Sequence, residues 1–355
     1  MDARNFTYRG SPARIVFGAG SLDRVAEIIE SLGCARALVL STPQQAEDAE
    51  RLAQTLGALA VSVFARAAMH TPVEITNEAV AAMRAAGADC TVAFGGGSTT
   101  GLGKAIAYRL DTVQIAVPTT YAGSEATPIL GQTEHGEKTT VRDASILPEA
   151  VIYDPALTLG LPYAMSVTSG LNAMAHAAEA LYARDRNPIS TLMAIEGLRA
   201  FVEALPVLGT EPRNMAARSD ALFGAWLCGT VLGAVGMSLH HKLCHVLGGS
   251  FDLPHAETHA VILPHAIRYN EAAAGAELRP ITEMLGQASP GQALHDFATS
   301  LGAPVALRDL GMAEADLPRA AEIATRNAYW SPRAIDRAGI LDLLTAAWRG
   351  ERPRD

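Results

Sequence analysis

Between Ser238 and His265 the chain reads SLHHKLCHVLGGSFDLPHAETHAVILPH, and six of its ten histidines fall inside this stretch: His240, His241, His245, His255, His259 and His265. Neither a solvated surface nor an ordinary apolar core gathers imidazoles in this way. His241 and His245 stand four apart, so on a helix they share one face, and His255 and His259 repeat the spacing. Gly248-Gly249 is expected to break the first helix, and Asp252 with Pro254 to open the next. Two neighbouring helices would then aim ring nitrogens at one point. Convergent imidazoles either ligate a metal ion or exchange protons with a polar substrate. Upstream, in SGLNAMAHAAEALYA, Asn172 and His176 also stand four apart at the start of an expected helix. Taken alone, His176 reads as a satisfied helix histidine. Its weight comes from His241 and His255, with which it and Asn172 would form a set of one amide and three imidazoles.

A second kind of chemistry lies earlier. The expected strand Cys90–Phe94 runs into Gly95-Gly96-Gly97-Ser98-Thr99-Thr100-Gly101 and then a helix. Glycine lets the backbone approach a phosphate closely, while helix-start amides and hydroxyls supply donors. The run matches neither GxGxxG nor the P-loop pattern, and a tight strand-to-helix turn would use the same residues. Its place at the carboxyl edge of a parallel strand favours a ligand. The next strand ends in Val117-Pro118-Thr119-Thr120-Tyr121-Ala122-Gly123-Ser124-Glu125. Two adjacent edges rich in Gly, Ser and Thr point to a dinucleotide. After the strand Ala37–Leu40 stand Ser41 and Thr42, where NAD-specific enzymes often place a carboxylate for the ribose hydroxyls. No acid is there, so a 2′-phosphate would meet no repulsion, and NADH and NADPH both suit the position.

The elements that must carry these residues change character midway. In the first part, expected strands Ala13–Val16, Ala37–Leu40, Leu59–Phe64, Cys90–Phe94 and Gln114–Val117 alternate with helical patterns over Leu22–Ser31, Gln45–Leu56, Glu74–Ala85 and Leu102–Tyr108. Such alternation predicts a mostly parallel sheet with helices on both faces. Ile129 to Ile152 is less regular and is expected to hold a hairpin or an extended arm. From Met165 onward the patterns are helical, punctuated by Pro188, Pro206, Pro212, Pro254, Pro264, Pro290, Pro304 and Pro318. The sequence therefore predicts an α/β dinucleotide-binding domain over residues 1–158 and an all-helical substrate domain over 159–355, with the ligand expected in a cleft between them.

Composition narrows the options. A net charge of -9 over 355 residues argues against general affinity for nucleic acid or anionic membrane. Cys34, Cys90, Cys228 and Cys244 form no CxxC pair and no secretory signal opens the chain, which fits free thiols in a reducing cytoplasm. Ala221 to Leu239 approaches the ~20 apolar residues that span a bilayer. Its four glycines and its continuation into the histidines identify it instead as a buried core helix, whose small residues admit a close neighbour.

The wording of GGGSTTGLGKAIA, VPTTYAGSEATPI, DPALT at 154–158, SGLNAMAHAAEALYA and HHKLCHVLGGSFDLPHAETH resembles the iron-containing alcohol dehydrogenase superfamily over essentially the whole chain. The resemblance implies a dehydroquinate synthase-like architecture, with an α/β domain followed by a helical one. Within the superfamily the motifs look like the branch that acts on maleylacetate. Its metal-dependent members bind one divalent ion through an aspartate and three histidines. The matching positions here are Asn172, His176, His241 and His255, with asparagine where the aspartate would stand. A neutral amide is a weaker ligand, and the branch is regarded as metal-independent, so no catalytic metal is expected. If one were bound, these four residues would hold it.

The resemblance further implies reduction of the carbon–carbon double bond of maleylacetate, plain or halogenated, to 3-oxoadipate in aromatic-compound degradation. An enone is already polarised, so hydrogen-bond donors can serve where an unactivated carbonyl needs a Lewis acid. His245 is expected to be the leading proton donor or enolate-stabilising group, with His176, His241 and His255 binding and polarising the substrate and Asn172 adding an amide contact. Gly96, Gly97 and Ser98 should hold the pyrophosphate, Thr119 and Thr120 should lie near the nicotinamide, and Ser41 and Thr42 by the adenosine ribose. Lys138 matches a family lysine that reaches the cofactor. Lys242 and Arg333 are carboxylate partners or, equally, solvated surface cations. Tyr121, Cys244 and Tyr329 could line the same cleft, and a homodimer is implied. The rivals are a metal-dependent alcohol or hydroxyacid dehydrogenase of the same superfamily, a lyase similar to dehydroquinate synthase, and a non-catalytic nucleotide-binding protein.

Overall fold

A computed structural model describes residues 6, 8, 10, 13–134 and 137–354, without the side chains of 137 and 138. Its contacts divide the chain into two compact units that meet at Leu161/Pro162. This lies a few residues past 158. The reason is local: the single turn Pro155–Thr158 is tied back into the first unit by the Tyr121 hydroxyl, which donates to Thr158 Oγ1 at 3.3 Å.

The first unit contains a six-stranded parallel sheet. Its strands are β1 (Arg14–Phe17), β2 (Ala37–Leu40), β3 (Ala60–Phe64), β4 (Cys90–Gly95), β5 (Val113–Pro118) and β8 (Ala150–Tyr153). They lie in the order β1-β8-β5-β4-β2-β3. Helices α1 (Val25–Ser31), α2 (Ala46–Leu56), α3 (Val73–Ala86) and α4 (Gly97–Leu110) connect them, and β6 (Ile129–Glu134) pairs with β7 (Glu137–Arg142) as an antiparallel hairpin. The strands are apolar at consecutive positions because both faces are covered. Val39 and Val92 pack with Ile28, Ile29, Leu52 and Leu56 on one face. Leu38, Leu40 and Ala93 pack with Val80, Met83, Leu102 and Ile106 on the other.

Two local expectations are corrected here. The segment 129–152 supplies the hairpin and also β8, which is buried in the sheet between β1 and β5; four residues between Glu149 and Asp154 carry too little pattern to mark a strand. The expected helix from Leu102 begins instead at Gly97, so Ser98 to Gly101 are already helical.

In the second unit, α5 (Tyr163–Tyr182), α6 (Pro188–Thr210), α7 (Met215–Ala234), α8 (Leu239–Phe251), α9 (His255–Leu285), α10 (Pro290–Ser300), α11 (Leu317–Thr325) and α12 (Arg337–Arg349) follow one another, with no strand among the described residues. α5 is buried on every side from Ser166 to Tyr182, the signature of a central helix, and α6, α7 and α9 pack around it. Pro188, Pro290 and Pro318 open helices, whereas Pro206 and Pro264 lie inside α6 and α9. Gly248-Gly249 does not break α8. That helix runs on to Phe251 and stops at Asp252, whose φ is 55°, because two glycines near an exposed end cost only about 1 kcal/mol each.

Among the described residues no single helix is long and apolar enough to cross a membrane; α7 and α8 together have the length, but they bend by 96°. α7 is a core helix pressed against α6 through facing glycines. A Cβ on Gly197 would sit 2.7 Å from Cys228 Sγ, and one on Gly224 would sit 3.0 Å from the Phe201 ring. Alanine normally stabilises a helix relative to glycine, but here overpacking decides the sign. Gly197→Ala should lower the unfolding free energy by about 1–3 kcal/mol. Gly249→Ala, with open space around it, should raise it by about 0.5–1 kcal/mol. Equilibrium urea denaturation of the two variants checks both signs.

Candidate functional site

In the sheet unit β4 lies between β2 and β5. The residues after these three strands, Ser41-Thr42, Gly96-Gly97-Ser98 and Thr119-Thr120, therefore share one carboxyl edge. Two contacts fix them. The Thr119 backbone amide donates to the Gly95 carbonyl at 3.1 Å, and the Gln45 side-chain amide donates to Thr119 Oγ1 at 3.2 Å. Gly95 has φ 152°, which side-chain residues rarely adopt, and its Cβ would collide with Thr99 Oγ1. A Cβ on Gly96 would sit 2.9 Å from Thr120 Cγ2. Both glycines serve the tight turn.

Gly97 is different: its Cβ would meet nothing nearer than 3.9 Å. The fold does not require glycine there, whereas a ligand approaching the first turn of α4 would. That turn contains no acid, and its first amides lack intrahelical partners. Ser41, Thr99, Thr100 and Ser124 add buried hydroxyl oxygens with no partner. These residues fit a dinucleotide phosphate. Thr42 precedes the turn Pro43–Gln45 without capping it. The side chain of Lys138 lies outside the described residues.

In the helical unit, α5 carries Asn172, His176 and Glu179 at i, i+4 and i+7, which is one face. α8 brings His240, His241 and His245, and α9 brings His255 and His259. The His176 and His241 rings are 5.2 Å apart, His241 and His259 5.3 Å, His255 and His259 4.4 Å, and His241 and His245 6.2 Å. His240 Nε2 and His259 Nδ1 are joined at 2.9 Å, with Cys244 Sγ 3.6 Å from the same His240 nitrogen. Burial first, then the neighbouring imidazoles, holds His176, His240 and His259 well below the usual histidine range, so all three are neutral. His245, half-buried, has Nδ1 3.1 Å from the Tyr329 hydroxyl, and Lys242 Nζ stands 5.6 Å over the same tyrosine ring. His255 is exposed at the start of α9.

The two helices thus gather five of the six histidines. His265 belongs elsewhere. It faces His295 at 6.4 Å, and burial with that neighbour lowers it to about 3. Arg333 is not brought to the cluster either. Its guanidinium stacks 4.0 Å over Tyr269 and lines a separate cavity of about 630 Å³ together with His265, Arg268 and Arg349. Tyr121 and Cys244 are buried, Tyr121 inside the sheet unit.

Sequence reasoning missed Glu179. It is wholly buried, with Oε1 2.7 Å from the amide of His240, and Oε2 2.8 Å from the amide of Ser238 and 2.7 Å from His241 Nδ1. The Tyr182 hydroxyl reaches Oε1 at 3.3 Å. The available signal was an acid in the otherwise apolar run AHAAEALY, on the same helix face as Asn172 and His176.

The ligand set implied by the resemblance can be tested on these contacts. Asn172 Oδ1, His176 Nδ1 and His241 Nε2 are buried without a partner, the state of atoms that meet a ligand. Their chemistry is less suited to an ion. All four side chains offer neutral donors, and the carboxylate beside them is already engaged by α8. A dication would have no anionic protein ligand, which makes the set a weaker one for an ion than a set with an aspartate.

A parallel sheet unit, a helical unit and an imidazole cluster are combined in one known class. The model of the iron-containing alcohol dehydrogenase family matches residues 12–155, and that of the C-terminal part of the Fe-containing alcohol dehydrogenase family matches 166–348. The chain belongs to this family. Its curated relatives include the maleylacetate reductases of Rhizobium sp. (strain MTP-10005), 64% identical, and of Burkholderia cepacia, 55% identical, each over 98% of this chain and 99% of the relative. The crystal structure of maleylacetate reductase from Agrobacterium tumefaciens, 66% identical, superposes with a TM-score of 0.96 over 99% of this chain and 100% of that one.

His240 and His259 bond to each other inside the cluster. His259→Ala should cost about 1–3 kcal/mol because His240 Nε2 loses its imidazole partner and keeps only the Cys244 thiol at 3.6 Å, read as a lower midpoint in equilibrium denaturation.

Proposed function

We propose that this chain reduces the carbon–carbon double bond of maleylacetate to 3-oxoadipate with NADH or NADPH. The observation that carries this reading is full-length kinship with maleylacetate reductases. The neutral, donor-rich cluster is in keeping with a dianionic enone.

Gly96, Gly97 and Ser98, with Thr119, Thr120, Ser41, Thr42 and Lys138 alongside, would hold the reduced nicotinamide dinucleotide, which would supply the hydride for the carbon β to the ketone. The electron pair of the double bond then moves onto the ketone oxygen as an enolate. His241, His176 and Asn172 surround and polarise this group. His245 returns a proton to the α carbon. His245 Nδ1 lies 3.1 Å from the Tyr329 hydroxyl; in the tautomer in which that hydroxyl donates, the proton of a neutral His245 sits on Nε2, the nitrogen that would deliver it. Lys242, whose ammonium is pushed down by burial, is the carboxylate partner favoured by its closeness to Tyr329.

We read the reaction as metal-free, supported by the absence of any carboxylate from Asn172, His176, His241 and His255 and by the enone's own polarisation. The lack of an acid at Ser41 and Thr42 supports use of either nicotinamide. Four free, buried cysteines suit a cytoplasmic enzyme, and family resemblance suggests a homodimer.

The test is loss of NADH or NADPH absorbance with maleylacetate, in the presence and absence of EDTA. Stoichiometric oxidation, indifferent to EDTA, is expected. Activity that chelation abolishes and zinc or iron restores would overturn the metal-free part, and no oxidation at all would overturn the substrate. His245→Ala should lower kcat by about 10²–10⁴ while the KM for NADH stays near that of the parent. Gly97→Ala should leave the melting temperature unchanged and raise the Kd for NADH, measured by fluorescence titration.

A further inference from the structure

Glu179 is a wholly buried carboxyl group that no step above uses. Its partners are unusual in kind. Two are backbone amides at the start of α8, Ser238 and His240, which can only donate. They take one carboxyl oxygen each. A third is Tyr182, itself buried and contacted by the Asn270 amide at 3.4 Å. The fourth is His241 Nδ1, 2.7 Å from the oxygen that already accepts from Ser238. On the far side of the same ring, Nε2 is buried and has no partner. Ser238, at the cap position of α8, makes no side-chain cap of its own. Glu179, from another helix, supplies it, and an anion is favoured at that helix end.

We infer that Glu179 is the positioning residue of the site. Its carboxylate accepts from His241 Nδ1–H, fixes that tautomer and ring orientation, and so leaves Nε2 as the one ring nitrogen that meets the substrate. The same carboxylate holds the first turn of α8, so the helix and the catalytic ring are placed by one group. The logic is that of a carboxylate orienting an imidazole in acyl-transfer triads and behind metal-bound histidines. The inference deepens the reading of His241 as a substrate-facing group and rests on it for its functional consequence. The tautomer itself does not depend on the substrate.

Glutamine cannot replace this carboxylate. Each oxygen faces an obligatory backbone donor, so whichever way an amide turned, its NH₂ would confront an N–H. Glu179→Asp keeps the charge but withdraws it by one methylene, and it serves as the milder variant.

The experiment has two arms. In the first, long-range proton–nitrogen NMR of ¹⁵N-histidine-labelled protein reads the tautomer of His241, assigned by its loss in His241→Asn. A proton on Nδ1 in the parent, exchanged for the common Nε2–H form in Glu179→Asp or Glu179→Gln, is expected. An unprotonated Nδ1 in the parent overturns the inference. In the second, Glu179→Gln should lower kcat with maleylacetate by about tenfold to a hundredfold with little change in the KM for NADH. In the His241→Asn background the same substitution should cost severalfold less, leaving only the share that acts through the start of α8. Equal losses in both backgrounds would mark a merely structural role and sink the inference. If Glu179→Gln fails to fold, Glu179→Asp carries the same cycle. If the parent turns over no maleylacetate while Nδ1 carries the proton, the substrate reading fails and the positioning of His241 stands.

Discussion

A carboxylate buried without any exposed surface is the constraint to which the helical unit conforms. Taking Glu179 out of water costs several kcal/mol, and only a full set of donors offsets that cost. Two come from the start of α8, one from His241 and one from Tyr182, and charge-assisted bonds of this kind contribute about 1.5–3 kcal/mol each. To deliver them, α8 must begin where it does and at its observed rotation, which aims His241 at α5. The network continues outward. Asn270 contacts Tyr182, and its carbonyl accepts from Ser331 Oγ at 2.8 Å and from the Arg333 amide at 3.3 Å. The segment that also carries Tyr329, and so the partner of His245, is thereby tied to the same group.

The sheet unit obeys a constraint of space rather than charge. Between β4 and α4 the chain turns in one residue, and the Thr99 and Thr120 side chains occupy the room that Cβ atoms on Gly95 and Gly96 would need. Those two glycines are consumed by packing. Gly97 alone remains as unfilled space beside α4. A run of three glycines thus serves two purposes, and only neighbours from α4 and from the loop after β5 separate them.

Electrostatically the two sites contrast. The sheet edge offers amides and hydroxyls and no acid in the first turn of α4, which suits an anion without committing a formal charge. The histidine cluster offers imidazoles that burial keeps neutral at His176, His240 and His259, backed by one engaged carboxylate. One cationic group, Lys242, stands at its margin above the Tyr329 ring. This distribution lets an acidic protein present a locally receptive surface to an anionic substrate.

Much of this was legible in the chain itself, for a local reason. Strand and helix periods are written in consecutive residues, and so were β2, β4, β5, the helical second unit and the i, i+4 spacing of its histidines. Where the pattern was short or the breakers weak, it failed. β8 has four residues, α4 starts inside its glycines, and Gly248-Gly249 lies within α8. By itself the sequence determined which residue types stand at which strand and helix ends, and its motifs identified the family. Only the tertiary structure decided partnership: β4 between β2 and β5, His240 with His259, His265 with His295, Arg333 with Tyr269, and His241 with Glu179. Each of those pairings joins groups far apart in sequence or chooses among neighbouring imidazoles of one type. Burial and hydrogen-bond satisfaction across packed elements select the partner, and no local pattern records that choice.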